Sequence, residues 1–257
     1  MEIGSGLAGR TAMVTGATSG LGYATAAELG QRDVLVLVHG RTRQTADQAA
    51  RRLSGLGNAP AGKYVPVYAD LTSLEEVRQL TAQVREKCPD GLDILINNAG
   101  AQFSSRRLSP EGIEVTTALV HFTPAVLHRL LLDDLRRAAD HADAPARVVT
   151  VTSVNERFGK VVTDWSYPSG YGQVRAYSNA KLMALAYTYG LARRIDEKEI
   201  VFNAAEPGFV FTDFGRKAGG SSGLMDRLLR PVAPVLIASP EKAARRSAMI
   251  AADPALA

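Results

Sequence analysis

The chain has 257 residues, 46% hydrophobic and 22% charged, a balance that suits one large α/β domain with a sizeable buried core. Its net charge is +4, and many arginines fall in pairs near helix ends, without a basic stripe interleaved with aromatics, which speaks against nucleic-acid binding. A single cysteine, Cys88, excludes an internal disulfide; with no apolar leader core and no run of membrane-spanning length, the expectation is a soluble cytoplasmic protein without a membrane span.

The first apolar run, Thr11 to Val14, breaks into Thr15-Gly16-Ala17-Thr18-Ser19-Gly20-Leu21-Gly22, and a helical pattern follows through Leu29. Strand, glycine turn and helix in that order are what a dinucleotide pyrophosphate needs. Gly16 permits the tight turn, Gly20 lets backbone approach phosphate, and Gly22 lets helix pack on strand. Val34 to Val38 reads as a strand buried on both faces, ending at His39-Gly40-Arg41. Where an acid would grip a ribose 2′-hydroxyl stands Arg41, with Arg43 close behind. A guanidinium suits a 2′-phosphate, so NADP(H) is favoured over NAD(H); alternatively Arg41 simply opens the next helix.

A helix is expected from about Gln44 to Leu56, then a strand from Lys63 to Ala69 that ends at Asp70-Leu71, with Thr72 or Ser73 capping the helix beyond. Asp93 to Ile96 is another buried strand, closed by Asn97-Asn98-Ala99-Gly100, small and amide residues that fit a ligand crevice or else form only a turn. Gly112 to about Ala139 reads as a long helix that Pro124 should kink or break, with Leu119, Phe122, Val126, Leu130 and Leu131 as its apolar stripe. Ala146 to Thr152 is a strand ending at Ser153, residues 154 to 171 a loop, Gly172 to Ile195 a long helix, and Glu199 to Ala205 a strand closed by Pro207-Gly208. This alternation predicts a doubly wound, mostly parallel sheet flanked by helices in a single Rossmann-type α/β domain.

Tyr177 and Lys181 lie four residues apart, so a helix stacks them on one face. A free phenol holds its proton to pH ~10, and a nearby ammonium should lower that value and make the pair a proton donor and acceptor.

With these pieces in order, the chain resembles the short-chain dehydrogenase/reductases, and within them the retinol-dehydrogenase-like branch. The carriers are Thr15-Gly16-x-x-x-Gly20-x-Gly22, Asp70-Leu71, Asn97-Asn98-Ala99-Gly100, Ser153, Tyr177-x-x-x-Lys181, and Pro207-Gly208 with Thr212. Arg41, Ala180-Lys181-Leu182 and the long separation of Ser153 from Tyr177 point to the branch. The resemblance implies that Tyr177 exchanges a proton with the substrate oxygen while Lys181 lowers its pKa and holds the nicotinamide ribose, and that Ser153 hydrogen-bonds that oxygen. Gly16, Ser19, Gly20, Leu21 and Gly22 would surround the pyrophosphate, Asp70 and Leu71 the adenine. Asn97, Ala99 and Gly100 would line the nucleotide cleft, and Pro207, Gly208, Val210 and Thr212 the nicotinamide end. No metal is expected.

Three departures stand out. The family's usual Asn after the Asn-Asn-Ala-Gly turn is Val120, which cannot position a relay water; the adjacent His121 either substitutes or merely packs. Glu206 stands where the branch often has His, either as an added acid or as a loop carboxylate. The chain ends at Ala257, earlier than most relatives. Residues 213 to 236 read as a substrate lid whose apolar face suits a bulky hydrophobic small molecule, or as an ordinary surface helix.

The leading expectation is an NADP(H)-dependent oxidoreductase interconverting a ketone or aldehyde with its alcohol. Non-redox acid-base chemistry (cyclisation, dehydration or epimerisation) and a non-catalytic nucleotide-binding sensor or scaffold remain alternatives. The Tyr177 helix, with Leu182, Leu185 and Leu191, either pairs with a second copy in a homodimer or homotetramer or buries those leucines in its own core.

Overall fold

The computed structural model describes residues 7–57, 62–207 and 240–252. Six strands form one all-parallel sheet among them: β1 (Thr11–Val14), β2 (Leu35–Gly40), β3 (Tyr64–Tyr68), β4 (Ile94–Asn97), β5 (Ala146–Val151) and β6 (Ile200–Ala205), in the order β3-β2-β1-β4-β5-β6. Strand order reverses between β1 and β4. In an open α/β sheet the ligand crevice lies at that switch point, outside the strands' carboxyl ends. The expected Rossmann-type sheet is what the chain forms.

Alternation along the strands explains the near-continuous apolar runs. Ala12 and Val14 face one side with Val36, Val38 and Ile96, covered by Leu29 of α1 (Gly20–Gly30), Leu53 of α2 (Arg43–Ser54) and Ala248 of a C-terminal helix spanning Pro240–Ala252. Met13, Leu37 and Leu95 face the other side against Val77, Leu80 and Val84 of α3 (Leu74–Lys87). Both faces are covered by helices, so the strands are mostly apolar, with His39, Asn97 and Thr150 among the buried polar exceptions.

The expected long helix from Gly112 is interrupted twice. It begins at Val115, after Gly112 at φ +77°, as a short α4 (Val115–Thr117) that loosens into a π-helical turn over Ala118–Phe122. Regular α-helix resumes as α5 (Thr123–Leu130), with Pro124 in the first turn where its missing N–H is harmless, and α6 (Leu132–Ala142) follows a second break at Leu131. The break therefore precedes Pro124, and the core residues of the region are Leu127, Leu131 and Leu135, each fully buried, while Leu119 and Val126 are only partly covered.

The loop expected over residues 154 to 171 holds a 3₁₀ turn at Val154–Phe158, and the helix that carries Tyr177 is α7 (Gln173–Ala192). Leu182, Leu185 and Leu191 are half-buried, between the two expectations for them. No single helix among the described residues is long and apolar enough to cross a membrane. Gly208, Val210, Thr212 and the segment 213 to 236 lie outside the described residues.

Candidate active site

The glycine turn is fastened to the neighbouring strand by two side chains. Thr15 follows β1 directly, and its hydroxyl donates to the Ile96 carbonyl at 3.2 Å and accepts from the amides of Asn98 (2.9 Å) and Ala99 (3.0 Å). The Asn98 amide donates back to the carbonyls of Thr15 (2.8 Å) and Gly16 (3.4 Å). The Asn-Asn-Ala-Gly turn thus clamps the glycine turn. The closeness explains the glycines: Gly16 sits at φ +66°, and a Cβ on Gly22 would lie 2.4 Å from both the Gly16 carbonyl O and Asn98 Nδ2. Ser19 precedes α1 in extended conformation with its hydroxyl unused in capping, and α1 has no acidic residue in its first turn, so the helix N-terminus is open to an anion. Asn97 Oδ1 is buried with no partner among the described residues; Gly100 and Leu21 are partly buried, and Leu21 packs on the core.

At the end of β2 the chain is equally tight. A Cβ on Gly40 would stand 2.7 Å from the Ala46 amide N and 2.9 Å from Thr18 Cγ2, so this corner closes on backbone. Arg43 is held by the Tyr68 hydroxyl at 2.8 Å with its guanidinium over that ring, whereas Arg41 is exposed with no partner among the described residues. Thr42 caps α2. Asp70 uses its carboxylate on Thr72, accepting from amide (2.9 Å) and hydroxyl (2.8 Å), and the buried Leu71 gives its carbonyl to Thr123.

Ser153, Tyr177 and Lys181 come together at the carboxyl end of β5. Ser153 opens the 3₁₀ turn, its hydroxyl accepting from the Asn155 amide (3.4 Å), and it is hydrogen-bonded to Tyr177. Tyr177 is 7% exposed and packs with Val120 and Ala180. Lys181 donates from Nζ to the Val151 carbonyl at 2.5 Å and stands 5.7 Å from the Tyr177 ring centroid. The expected lowering of the Tyr177 pKa by Lys181 is not found. Burial pushes the phenol up to about 12, opposed by the Ser153 hydrogen bond and reinforced by the Glu156 carboxylate. The ammonium is tied to β5 and lies over the ring. Burial lowers Lys181 itself to about 8, against the pull of Glu156. Tyr177 therefore keeps its proton throughout the neutral range and can act as an acid.

Glu156 was not singled out from the sequence. It completes a capping box on Ser153, whose amide N lies 3.5 Å from Oε2, and is held above the usual carboxylate range by burial and by the neighbouring Glu206. The Ser-x-x-Glu spacing was the available signal. Glu206 is exposed and acts on Glu156, so it is more than a remote loop charge. Pro207 follows it, partly buried.

Two further polar residues hold the surrounding loops. Asn179, between Tyr177 and Lys181 in sequence, accepts from the Lys160 amide (2.8 Å) and donates to the Tyr167 hydroxyl (2.9 Å), tying residues 160–167 to α7. Glu114, fully buried, accepts from the amides and hydroxyls of Thr116 and Thr117, and its own amide donates to the Trp165 carbonyl at 2.8 Å. Neither declared itself in the sequence, because a buried cap depends on what packs over it.

Val120, 2% exposed, lies against Tyr177 within the π-helical turn, so no amide reaches the pair from that side. His121 does not replace it: its ring meets the edges of Phe122 and Tyr187, and Tyr187 lies well beyond Tyr177 along α7. Packing is the role the structure supports.

Three histidines carry an acid-stability signature. Burial pushes His39, His121 and His128 each down to about 4. Below the unfolded value of ~6.5 the unfolded chain takes up protons that the folded chain refuses until about pH 4. The histidine contribution to folding stability should therefore be level above pH 6.5 and fall between pH 6.5 and 4, by up to about 1.4 kcal/mol per pH unit for each histidine. Urea titrations at pH 7, 6 and 5 measure this directly, and stability that stays flat over that range would contradict it.

The sequence profile of the short chain dehydrogenases matches residues 10–221. Human retinol dehydrogenase 13 is 31% identical over 97% of this chain and 74% of its own length, and mouse retinol dehydrogenase 14 is 34% identical over 81% and 63%. Human polyprenol dehydrogenase is 30% identical over 96% and 74%. This chain thus spans between 63% and 74% of the length of these relatives. Among solved structures, the RhlG/NADP active-site complex of Pseudomonas aeruginosa superposes with a TM-score of 0.78 at 25% identity, covering 100% of this chain and 94% of that one. A parallel sheet with a glycine turn at its switch point and a Ser, Tyr and Lys at its carboxyl edge defines a nucleotide-dependent oxidoreductase fold. The chain belongs to the short-chain dehydrogenase/reductase family, in its retinol-dehydrogenase-like branch.

Proposed function

We propose that the chain is an NADP(H)-dependent oxidoreductase of ketoreductase type that interconverts a ketone or aldehyde with its alcohol on a bulky hydrophobic small molecule. The observation that carries this reading is the Tyr177 hydroxyl, protonated at neutral pH, hydrogen-bonded to Ser153 and backed by Lys181 on one face of α7. In the reducing direction Tyr177 gives its proton to the carbonyl oxygen. Ser153 donates to the same oxygen and stabilises the charge that develops there. The Lys181 ammonium, fixed by Val151, then faces the phenolate that remains.

The chain's residues fit a dinucleotide. The turn at Gly16 to Gly22 leaves no room for a Cβ, the first turn of α1 carries no acid, and Asn97 holds a buried polar atom without a partner among the described residues. Gly16, Ser19, Gly20, Leu21 and Gly22 would hold the pyrophosphate, Asp70 and Leu71 the adenine end, and Asn97, Ala99 and Gly100 the cleft wall. When bound, the nucleotide supplies or accepts the hydride; the protein supplies orientation and the proton. Arg41, exposed just after β2 and without a partner among the described residues, supports NADP(H) over NAD(H), as does the NADP in RhlG. The retinol and polyprenol dehydrogenases among the relatives support an apolar substrate, and so do the exposed Phe158, Val161 and Trp165 in the stretch after Ser153.

Calorimetric titration tests the cofactor half of the reading. Wild type should prefer NADPH to NADH, and Arg41→Ala should weaken NADPH by roughly 10- to 100-fold, the scale of a charge-assisted hydrogen bond, while leaving NADH nearly unchanged. Equal affinities in the wild type would remove the NADP(H) assignment. Turnover of apolar aldehydes and ketones with NADPH tests the chemical half.

A further inference from the structure

His39 is the penultimate residue of β2 and is 3% exposed. Its ring bridges two neighbours, with Nδ1 at 3.1 Å from the Gly16 amide N and Nε2 at 3.1 Å from the Ala69 carbonyl O. A backbone N–H can only donate, so Nδ1 accepts. The ring is then neutral, and its proton sits on Nε2, donated to Ala69. The same residue takes a second amide of the turn, because the His39 carbonyl accepts from the Ala17 amide at 2.9 Å. Both leading amides of the glycine turn are thus committed to one strand residue. The donors left to meet an anion are those of the first turn of α1, which have no partner within the helix.

We propose that His39 is a positioning residue for the nucleotide: by accepting the Gly16 N–H it holds the glycine turn in the shape that aims the α1 amides at the pyrophosphate. The inference rests on the reading of this turn as a nucleotide cradle. Gly16 at φ +66° needs such a hold, since its amide faces β2 and would otherwise have no acceptor in the dry space between the strands. Because Gly40 and Arg41 follow directly on the same strand end, the residue also joins the grip on the pyrophosphate to the corner where a 2′-phosphate would sit.

A purely structural role, tying β2 to β3 through Ala69, makes a different prediction. Asparagine places its amide at the reach of Nδ1 and restores an acceptor for Gly16; glutamine places its amide at the reach of Nε2 and restores a donor to Ala69. The experiment is calorimetric titration of wild type, His39→Asn, His39→Gln and His39→Leu with NADPH and with NADH, with thermal melting to verify folding. His39→Gln and His39→Leu should weaken both nucleotides in parallel by ~10-fold or more, the scale of a lost buried hydrogen bond, and His39→Asn should stay within ~3-fold of wild type. The parallel loss separates this effect from Arg41→Ala, which acts on NADPH alone. Retention of affinity by His39→Gln with loss in His39→Asn would overturn the proposal, as would wild-type affinity in a folded His39→Leu. Where His39→Leu fails to fold, the Asn and Gln variants decide. A wild type that binds neither nucleotide defeats the functional reading beneath the proposal, an outcome distinct from the others.

Discussion

Tyr177→Phe is expected to lose at least ~100-fold of carbonyl turnover while keeping its nucleotide affinity and melting temperature close to wild type. The ring is what packs with Val120 and Ala180, so its removal is not at issue; the substitution deletes only the hydroxyl that Ser153 meets. The lost function is proton donation to the developing alkoxide. The wild type's own pH profile follows from the same groups. Tyr177, pushed up to about 12, stays protonated across the working range, whereas Lys181, lowered to about 8, loses its ammonium on the alkaline side. Reduction should therefore be level from neutral pH up to about 8 and decline above it, because the phenolate left after proton transfer then lacks its cation. Near wild-type turnover in Tyr177→Phe would remove Tyr177 from the chemistry.

Gly22→Ala should weaken nucleotide binding by ~100-fold or more and destabilise the fold by about 1–3 kcal/mol, the usual cost of forcing a methyl into a close-packed site. The added Cβ would lie 2.4 Å from the Gly16 carbonyl O and from Asn98 Nδ2. Asn98 also holds the Thr15 carbonyl, and Gly16 is backbone, so neither yields without moving α1 away from β1. The pyrophosphate donors move with α1. Gly172→Ala is the matched control, since the nearest atom to its Cβ would be Arg175 Cβ at an ordinary 3.7 Å. That variant should melt and bind as wild type does. Unchanged nucleotide affinity in Gly22→Ala would mean that the turn does not grip the ligand.

Most of the sheet was legible because a parallel sheet covered on both faces shows itself as short apolar runs bounded by turns, as at Val34 to Val38 and Asp93 to Ile96. The glycine turn and the Tyr177–Lys181 spacing were legible for a similar reason: each is a local pattern with a steric or helical cause. What the sequence concealed depends on atoms far away along the chain. Lys181 near Tyr177 implied a lowered phenol pKa, but burial pushes the phenol up, and the ammonium is anchored to Val151 over the ring. The π-helical turn at Ala118–Phe122 is not encoded by Pro124, which merely starts the next helix. Glu114 and Asn179 are polar groups buried by segments that fold over them, and nothing in their immediate neighbours announces that. His39 looked like the end of a strand, and only the register of β2 against β1 and β3 brings its ring between Gly16 and Ala69.

The central claim, hydride chemistry on a carbonyl, is tested most directly by isotope transfer. The enzyme is incubated with NADPH carrying deuterium at the transferred position and a panel of apolar ketones and aldehydes, and the products are analysed by mass spectrometry. The account predicts an alcohol with one deuterium on the former carbonyl carbon, formed in step with nucleotide oxidation and lost in Tyr177→Phe. A product without deuterium, formed while the NADPH remains unconsumed, would contradict it and assign the Ser153, Tyr177 and Lys181 group to acid-base chemistry without redox.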